Sequence, residues 1–127
     1  MKRATLLCVD DDPGIRELYE ALLSSRGYEV LLAPGANEAL QLYHSKTIDA
    51  VISDYEMPGM NGVELAAELK RKDPQLPVIM ISGSPPVPAE VCHVVDAALA
   101  KDVPLEQIVS QIEALLAARY SRGAVAD

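Results

Sequence analysis

Ala50-Val51-Ile52-Ser53-Asp54-Tyr55-Glu56-Met57-Pro58-Gly59 is the stretch on which the fold turns. A short apolar run ends abruptly in an aspartate, and a turn-forming Met-Pro-Gly follows. Bounded apolar runs of this length suit a strand buried on both faces, as in a parallel sheet. Asp54 then stands where the strand emerges, at the carboxyl edge, which is where open α/β sheets hold their ligands. A second run, Leu6-Leu7-Cys8-Val9, ends in Asp10-Asp11. The two acidic ends are expected to meet in one site.

The rest of the chain repeats this strand-then-helix rhythm. Thr5 to Val9 reads as a strand, and Asp12 before Pro13 as an N-cap with proline at the first helical position. Ile15, Leu18, Tyr19, Leu22 and Leu23 recur at helical spacing until Gly27 stops the helix. Tyr28 to Ala33 is a second strand, and Pro34-Gly35 a turn. Ala36, Ala39, Leu40 and Tyr43 mark a weaker second helix. After the strand ending at Asp54, Asn61-Gly62 closes a loop. Leu65, Ala66 and Leu69 mark a helix that ends before Pro74. Val78 to Ile81 is a fourth strand, ending at Ser82-Gly83. Prolines at 85, 86 and 88 bar a helix interior there, and a short helix is expected over Ala89 to Val95. Ala98-Leu99-Ala100 is a short fifth strand ending at Lys101. Leu105, Ile108, Val109, Ile112, Leu115 and Leu116 trace a strongly amphipathic last helix, and Ser121 to Asp127 a frayed tail.

Five strands alternating with helices predict an α/β fold, a five-stranded parallel sheet with helices on both faces. Its domain is expected over residues 1–120, with 121–127 as a tail. Such a sheet brings Asp10, Asp11, Asp54, Ser82 and Lys101 to the same edge.

Composition narrows the function. At 127 residues the chain suits one domain. Phe and Trp are absent, so the core is aliphatic. A net charge of −8 disfavours direct nucleic-acid binding, which needs a basic footprint. The two cysteines, Cys8 and Cys92, lack metal-ligand spacing, and Cys8 reads as a small buried hydrophobe. No apolar stretch approaches a membrane span or a signal peptide, and a cytoplasmic address follows by elimination.

The acidic cluster has its own chemistry. Two carboxylates at about 4 Å repel by about 4 kcal/mol at an effective dielectric of about 20. Three of them need a cation or a bound proton, and a hard divalent ion with oxygen ligands, such as Mg²⁺, meets that need. An aspartate with a metal and a lysine nearby is equipped to attack phosphorus, with the Ser82 hydroxyl donating to a phosphoryl oxygen afterwards. Blander readings stand beside these. Asp10 to Asp12 alone would be a helix N-terminus favoured by the macrodipole, and Asp54 and Ser82 turn residues. Lys101 would be a solvated charge, His44 and His93 surface or structural groups, and Met57 and Met60 packing residues.

Taken together, Val9-Asp10-Asp11-Asp12-Pro13 with Arg16, Asp54 before Met57-Pro58-Gly59-Met60-Asn61-Gly62, Ser82-Gly83 and Lys101 resemble a response-regulator receiver domain, over about Thr5 to Arg119. The resemblance implies the flavodoxin-like fold of the bacterial chemotaxis response regulator. It implies that Asp54 is the phosphoacceptor, served by a sensor histidine kinase or a histidine phosphotransfer protein. Asp10, Asp11, Asp54 and the Glu56 backbone carbonyl would hold Mg²⁺ (or Mn²⁺). Ser82 would be the switch hydroxyl and Lys101 would pair with the phosphoryl group. A downstream protein target or fused output domain would read the state. The chain would promote only its own phosphorylation and dephosphorylation, and so would not be an enzyme in the usual sense.

Three departures from the family pattern stand out. Asp102, not proline, follows Lys101. Ala98 occupies the position three before the lysine, where the family often has Tyr or Phe. The segment from Ser82 to Lys101 is short and rich in proline. A phosphorylation-independent interaction module on the same fold is therefore the alternative. A small aspartate-nucleophile phosphatase is a further one, since Asp10 and Asp12 form an Asp-x-Asp pattern, although that reading leaves Asp54 and its loop unexplained. Neither a dinucleotide-binding Gly-x-Gly-x-x-Gly nor a Gly-x-Ser-x-Gly elbow is present.

Overall fold

The computed structural model describes residues 3–83 and 93–126, with the backbone alone for 122–126. Five strands form one parallel sheet: β1 (Thr5–Val9), β2 (Glu29–Ala33), β3 (Ala50–Asp54), β4 (Val78–Ser82) and β5 (Ala97–Ala100). Their order is β2-β1-β3-β4-β5, so the sheet reverses direction of winding beside β1. The helices are α1 (Pro13–Ser25), α2 (Ala36–Ser45), α3 (Gly62–Lys72) and α4 (Leu105–Ala126). The fold is thus the expected α/β arrangement. The proline-rich stretch at 84–88, residues 89–92 of the expected short helix, and Cys92 lie outside the described residues.

Strand alternation sorts the core into two layers. On one side Leu7, Val9, Val51, Val78 and Met80 pack with Ala39, Leu65 and Leu69 of α2 and α3. On the other, Leu6, Cys8, Ile52, Ile79 and Ile81 pack with Tyr19 and Leu23 of α1 and with Ile108, Val109 and Ile112 of α4. Every residue of β1, β3 and β4 is buried, as strands covered on both faces must be. The half-buried edge strands β2 and β5 flank them.

Helix ends follow their local chemistry. Asp12 caps α1 by accepting from the Gly14 amide at 2.8 Å, with Pro13 in the first turn. Gly27 ends it in a left-handed conformation (φ 92°), with its own amide on the Ser24 carbonyl and that of Tyr28 on the Leu23 carbonyl. That paired reversal is what glycine alone adopts without strain. One member of the expected α1 stripe differs: Leu18 is 44% exposed, because the sheet takes up Tyr19 and Leu23 on the adjacent arc. The last helix continues to Ala126, past the expected break at Ser121. No proline intervenes, and an interior glycine costs a helix only about 1 kcal/mol.

Asn61-Gly62 does more than close a loop. Asn61 and Glu64 form a reciprocal capping box at the start of α3, each side chain on the other's amide at 2.9 Å. Gly62 is where α3 touches the functional edge: a Cβ there would meet the Asp54 carbonyl at 2.3 Å and Met80 Sδ at 2.5 Å. Gly62→Ala is therefore expected to destabilise the chain by about 1–3 kcal/mol through overpacking, read as a lower urea midpoint. An unchanged midpoint would show that α3 can move aside freely.

Candidate functional site at the carboxyl edge of the sheet

The strands deliver the acids directly. Asp54 is the last residue of β3 and only 4% exposed, and Asp10, just past β1, is 2% exposed. Asp11, next to it, is exposed. One carboxylate oxygen from each of the three lies within 4.8 Å of the others. The backbone around them is pinned by short-range bonds. Asp10 Oδ1 accepts from the Asp12 amide at 2.9 Å, and Arg16 Nη1 donates to the Asp10 carbonyl at 2.6 Å. Asp54 Oδ1 accepts from the Glu56 amide at 3.2 Å.

Lys101 comes to the cluster from two strands away. Its amide donates to the Ser82 carbonyl at 2.8 Å, extending the β4–β5 ladder. Its Nζ donates to Asp54 Oδ2 at 3.2 Å. Burial pulls the Lys101 ammonium down, but the Asp54 charge and hydrogen bond, with Asp10 and Asp11 behind them, outweigh it and hold the pKa above the ordinary lysine value. Ser82, the last residue of β4, is buried at the same edge. Asp11, Tyr55, Glu56, Met57 and Asn61 line a cleft of about 570 Å³ beside the acids. All the residues expected at the site from sequence therefore share one edge. Asp12 does not join them, since its side chain is spent on capping α1.

The roles of Arg16, Asn61 and Gly62 in shaping this edge are visible only in three dimensions. The Asn-x-x-Glu spacing of Asn61 and Glu64 was the available signal for one of them. Other expected bystanders behave as such. Met57 is buried and Met60 packs beside it. His93 is exposed, and so is His44, which meets Tyr43 edge-on at 6.3 Å. Cys8 is buried and unpaired, its thiol pushed up to about 12 by burial first and then by the Glu20 and Asp10 charges.

A parallel sheet whose carboxyl edge gathers a buried aspartate, two neighbouring aspartates and a lysine is the arrangement of a signalling domain with an acidic pocket. The chain belongs to the response regulator receiver domain family, whose model matches residues 6–113. It is 40% identical over 90 residues to the transcriptional regulatory protein GlrR of Escherichia coli (strain K12), covering 71% of this chain and 20% of that protein. Among solved structures, it superposes on a CheY-like receiver domain protein of Methanospirillum hungatei with a TM-score of 0.88, at 25% identity, covering 95% of this chain and 99% of that one. The response regulator TrrA of Thermotoga maritima, solved in complex with Mg²⁺-BeF, matches with a TM-score of 0.79 at 30% identity, covering 88% of this chain and 98% of that one. The chain spans between 20% and 49% of the length of the curated relatives it matches first. Among the described residues no helix is long and apolar enough to cross a membrane.

Asp10 bears the electrostatic cost of the cluster. Burial, with the Asp54 and Asp11 charges, raises its pKa above 3.8, against the lowering pull of the Asp12 amide and Lys101. A carboxyl whose folded pKa is raised contributes stability below its unfolded pKa and loses it as pH rises through the folded one. Without divalent cations, Asp10→Asn should therefore stabilise the chain at pH near 7 by about 1 kcal/mol. The amide retains an acceptor for the Asp12 N–H, and the gain should shrink as pH falls through the raised folded pKa and be lost only below 3.8. Denaturant melts in chelator at both ends of that range check it; a gain independent of pH would refute the electrostatic origin.

Proposed function

We propose that Asp54 is the phosphoacceptor of this receiver domain, taking a phosphoryl group from the phosphohistidine of a sensor histidine kinase or a histidine phosphotransfer protein. The observation that carries the reading is the buried Asp54 carboxylate, 3.2 Å from the Lys101 ammonium and grouped with the Asp10 and Asp11 oxygens. In the transfer, an Asp54 oxygen forms a bond to phosphorus as the N–P bond of the phosphohistidine breaks. The electron pair of that bond returns to the imidazole. Lys101 offsets negative charge on the phosphoryl oxygens, in a pocket where such a contact is stronger than in water. The Ser82 hydroxyl then donates to one of those oxygens.

The donor set is all oxygen, three carboxylates and one backbone carbonyl, which suits Mg²⁺ or Mn²⁺. Asp10, Asp11, Asp54 and the Glu56 carbonyl would hold the ion, and when bound it supplies positive charge against the transferring group. The new aspartyl phosphate carries about −1.5 to −2 charge by analogy with other phosphoresidues. That charge would be read by a downstream protein or a fused output domain. Ala98 is exposed and lacks a ring, so an aromatic rotamer at that position is not the route. Residues 1–120 would be the working domain, in the cytoplasm beside the kinase, with α4 carrying the chain on past Ser121 to Ala126. The domain promotes only its own phosphorylation and dephosphorylation. The phosphatase alternative, with Asp10 and Asp12 as its pair, loses support because the Asp12 side chain caps α1 and does not join the cluster of Asp10, Asp11 and Asp54.

The test is intact mass after incubation with acetyl phosphate and Mg²⁺. One phosphoryl adduct is expected, absent in Asp54→Asn and in chelator, with Lys101→Ala slowing its formation roughly a hundredfold. No adduct from acetyl phosphate or from a phosphorylated histidine kinase, together with no Mg²⁺ binding, would favour the phosphorylation-independent module instead.

A further inference from the structure

The strand that carries Lys101 is poorly specified by its own sequence. β5 is Ala97-Ala98-Leu99-Ala100, an edge strand with alternate residues exposed. Only Leu99 distinguishes its two faces. A one-residue slip against β4 would turn Leu99 outward, but a two-residue slip would keep it on its face. That slip would carry Lys101 about 6.6 Å along the strand, since each residue advances about 3.3 Å. The 3.2 Å contact with Asp54 would be lost.

Asp96, immediately before β5, removes that freedom. Its amide donates to the Val78 carbonyl at 2.9 Å, and its Oδ2 accepts from the Val78 amide at 2.8 Å. Both polar groups of the first β4 residue are thereby held by one aspartate. Lys70 of α3 secures the same oxygen: its Nζ lies 2.6 Å from Asp96 Oδ2 and also donates to the Leu76 carbonyl at 2.9 Å. The device occurs twice among the described residues. Asp49, immediately before β3, donates its amide to the Thr5 carbonyl at 2.8 Å and accepts from the Thr5 amide on Oδ2 at 2.7 Å. Each clasp lies five residues before a working group, Asp49 before Asp54 and Asp96 before Lys101. For β3 the clasp is redundant with a fully buried apolar pattern. For β5 no such pattern exists.

We infer that Asp96, braced by Lys70, is a positioning residue that sets the register of β5 and so delivers Lys101 to Asp54 from the opposite edge of the sheet. Its effect on phosphorylation rests on the phosphoacceptor reading; its effect on register does not. The experiment uses the full chain and two readouts. In Asp96→Ala, amide hydrogen exchange at Lys101, the donor to Ser82, should rise about tenfold or more while β1 and β3 amides keep their protection. Adduct formation from acetyl phosphate should fall about tenfold, as expected for a misplaced contact, with Mg²⁺ affinity unchanged. Asp96→Ala should add nothing further in a Lys101→Ala background, because both remove the same contact. Asp96→Asn, which keeps an acceptor for Val78, should recover most of the rate.

Unchanged exchange at Lys101 would overturn the inference. So would rate losses that multiply in the double variant, the mark of a general structural defect. If Asp96→Ala fails to fold, Lys70→Met provides the same comparison with the Val78 bonds intact, and a smaller rise in exchange confined to β5 is expected. A wild-type chain that takes no phosphoryl group would defeat the phosphoacceptor reading, while exchange would still decide the clasp.

Discussion

Three carboxylates with oxygens inside 4.8 Å of one another repel, and two of them are removed from water. Such a cluster persists only where cations offset it and where the backbone cannot relax to spread the charges apart. Both conditions are met at one edge of this sheet. Lys101 contributes a fixed positive charge, and the aspartates are tied down by the strand ends, the Asp12 and Glu56 amides and Arg16. Burial first, and then the Asp54 and Asp11 charges, raise the pKa of Asp10. A pocket with a standing excess of negative charge is poised to respond to a divalent cation or a charged adduct.

The surrounding packing makes that tension tolerable. β1, β3 and β4 are buried throughout, so their ends cannot swing outward without exposing apolar side chains on both faces. Gly62 lets α3 press on the Asp54 carbonyl and Met80, and the Asn61–Glu64 box starts that helix at the required place. Rigidity at β1 and β3 contrasts with β5, where four small residues carry the lysine on an edge. The acids are held by the core, whereas the cation depends on hydrogen bonds at the start of its strand.

Two of the three departures from the family pattern lie on or just past that same edge strand. Ala98 and Ala100 leave its outer face without a large side chain, and Asp102 follows the lysine. The acidic half of the pocket retains every group the family resemblance calls for. The acids and these departures rest on different elements, the buried central strands and the half-buried edge.

Much of this was legible in the order of residues. Apolar runs ending in Asp10, Asp54, Ser82 and Lys101 determined the strands, and their alternation with helical stripes determined a parallel sheet with the four ends on one edge. Those are local signals, set by side-chain period and by what may follow a buried strand. Leu18 eluded them because a stripe five residues wide does not say which arc faces the sheet. The contact of Gly62 with the Asp54 carbonyl, the hold of Arg16 on the Asp10 carbonyl and the clasps of Asp49 and Asp96 were decided only in the folded chain. Each ends on a backbone atom, which all residues share, so no residue type announces the partner. Sequence therefore named the groups that meet at this edge, and tertiary structure decided the distances between them.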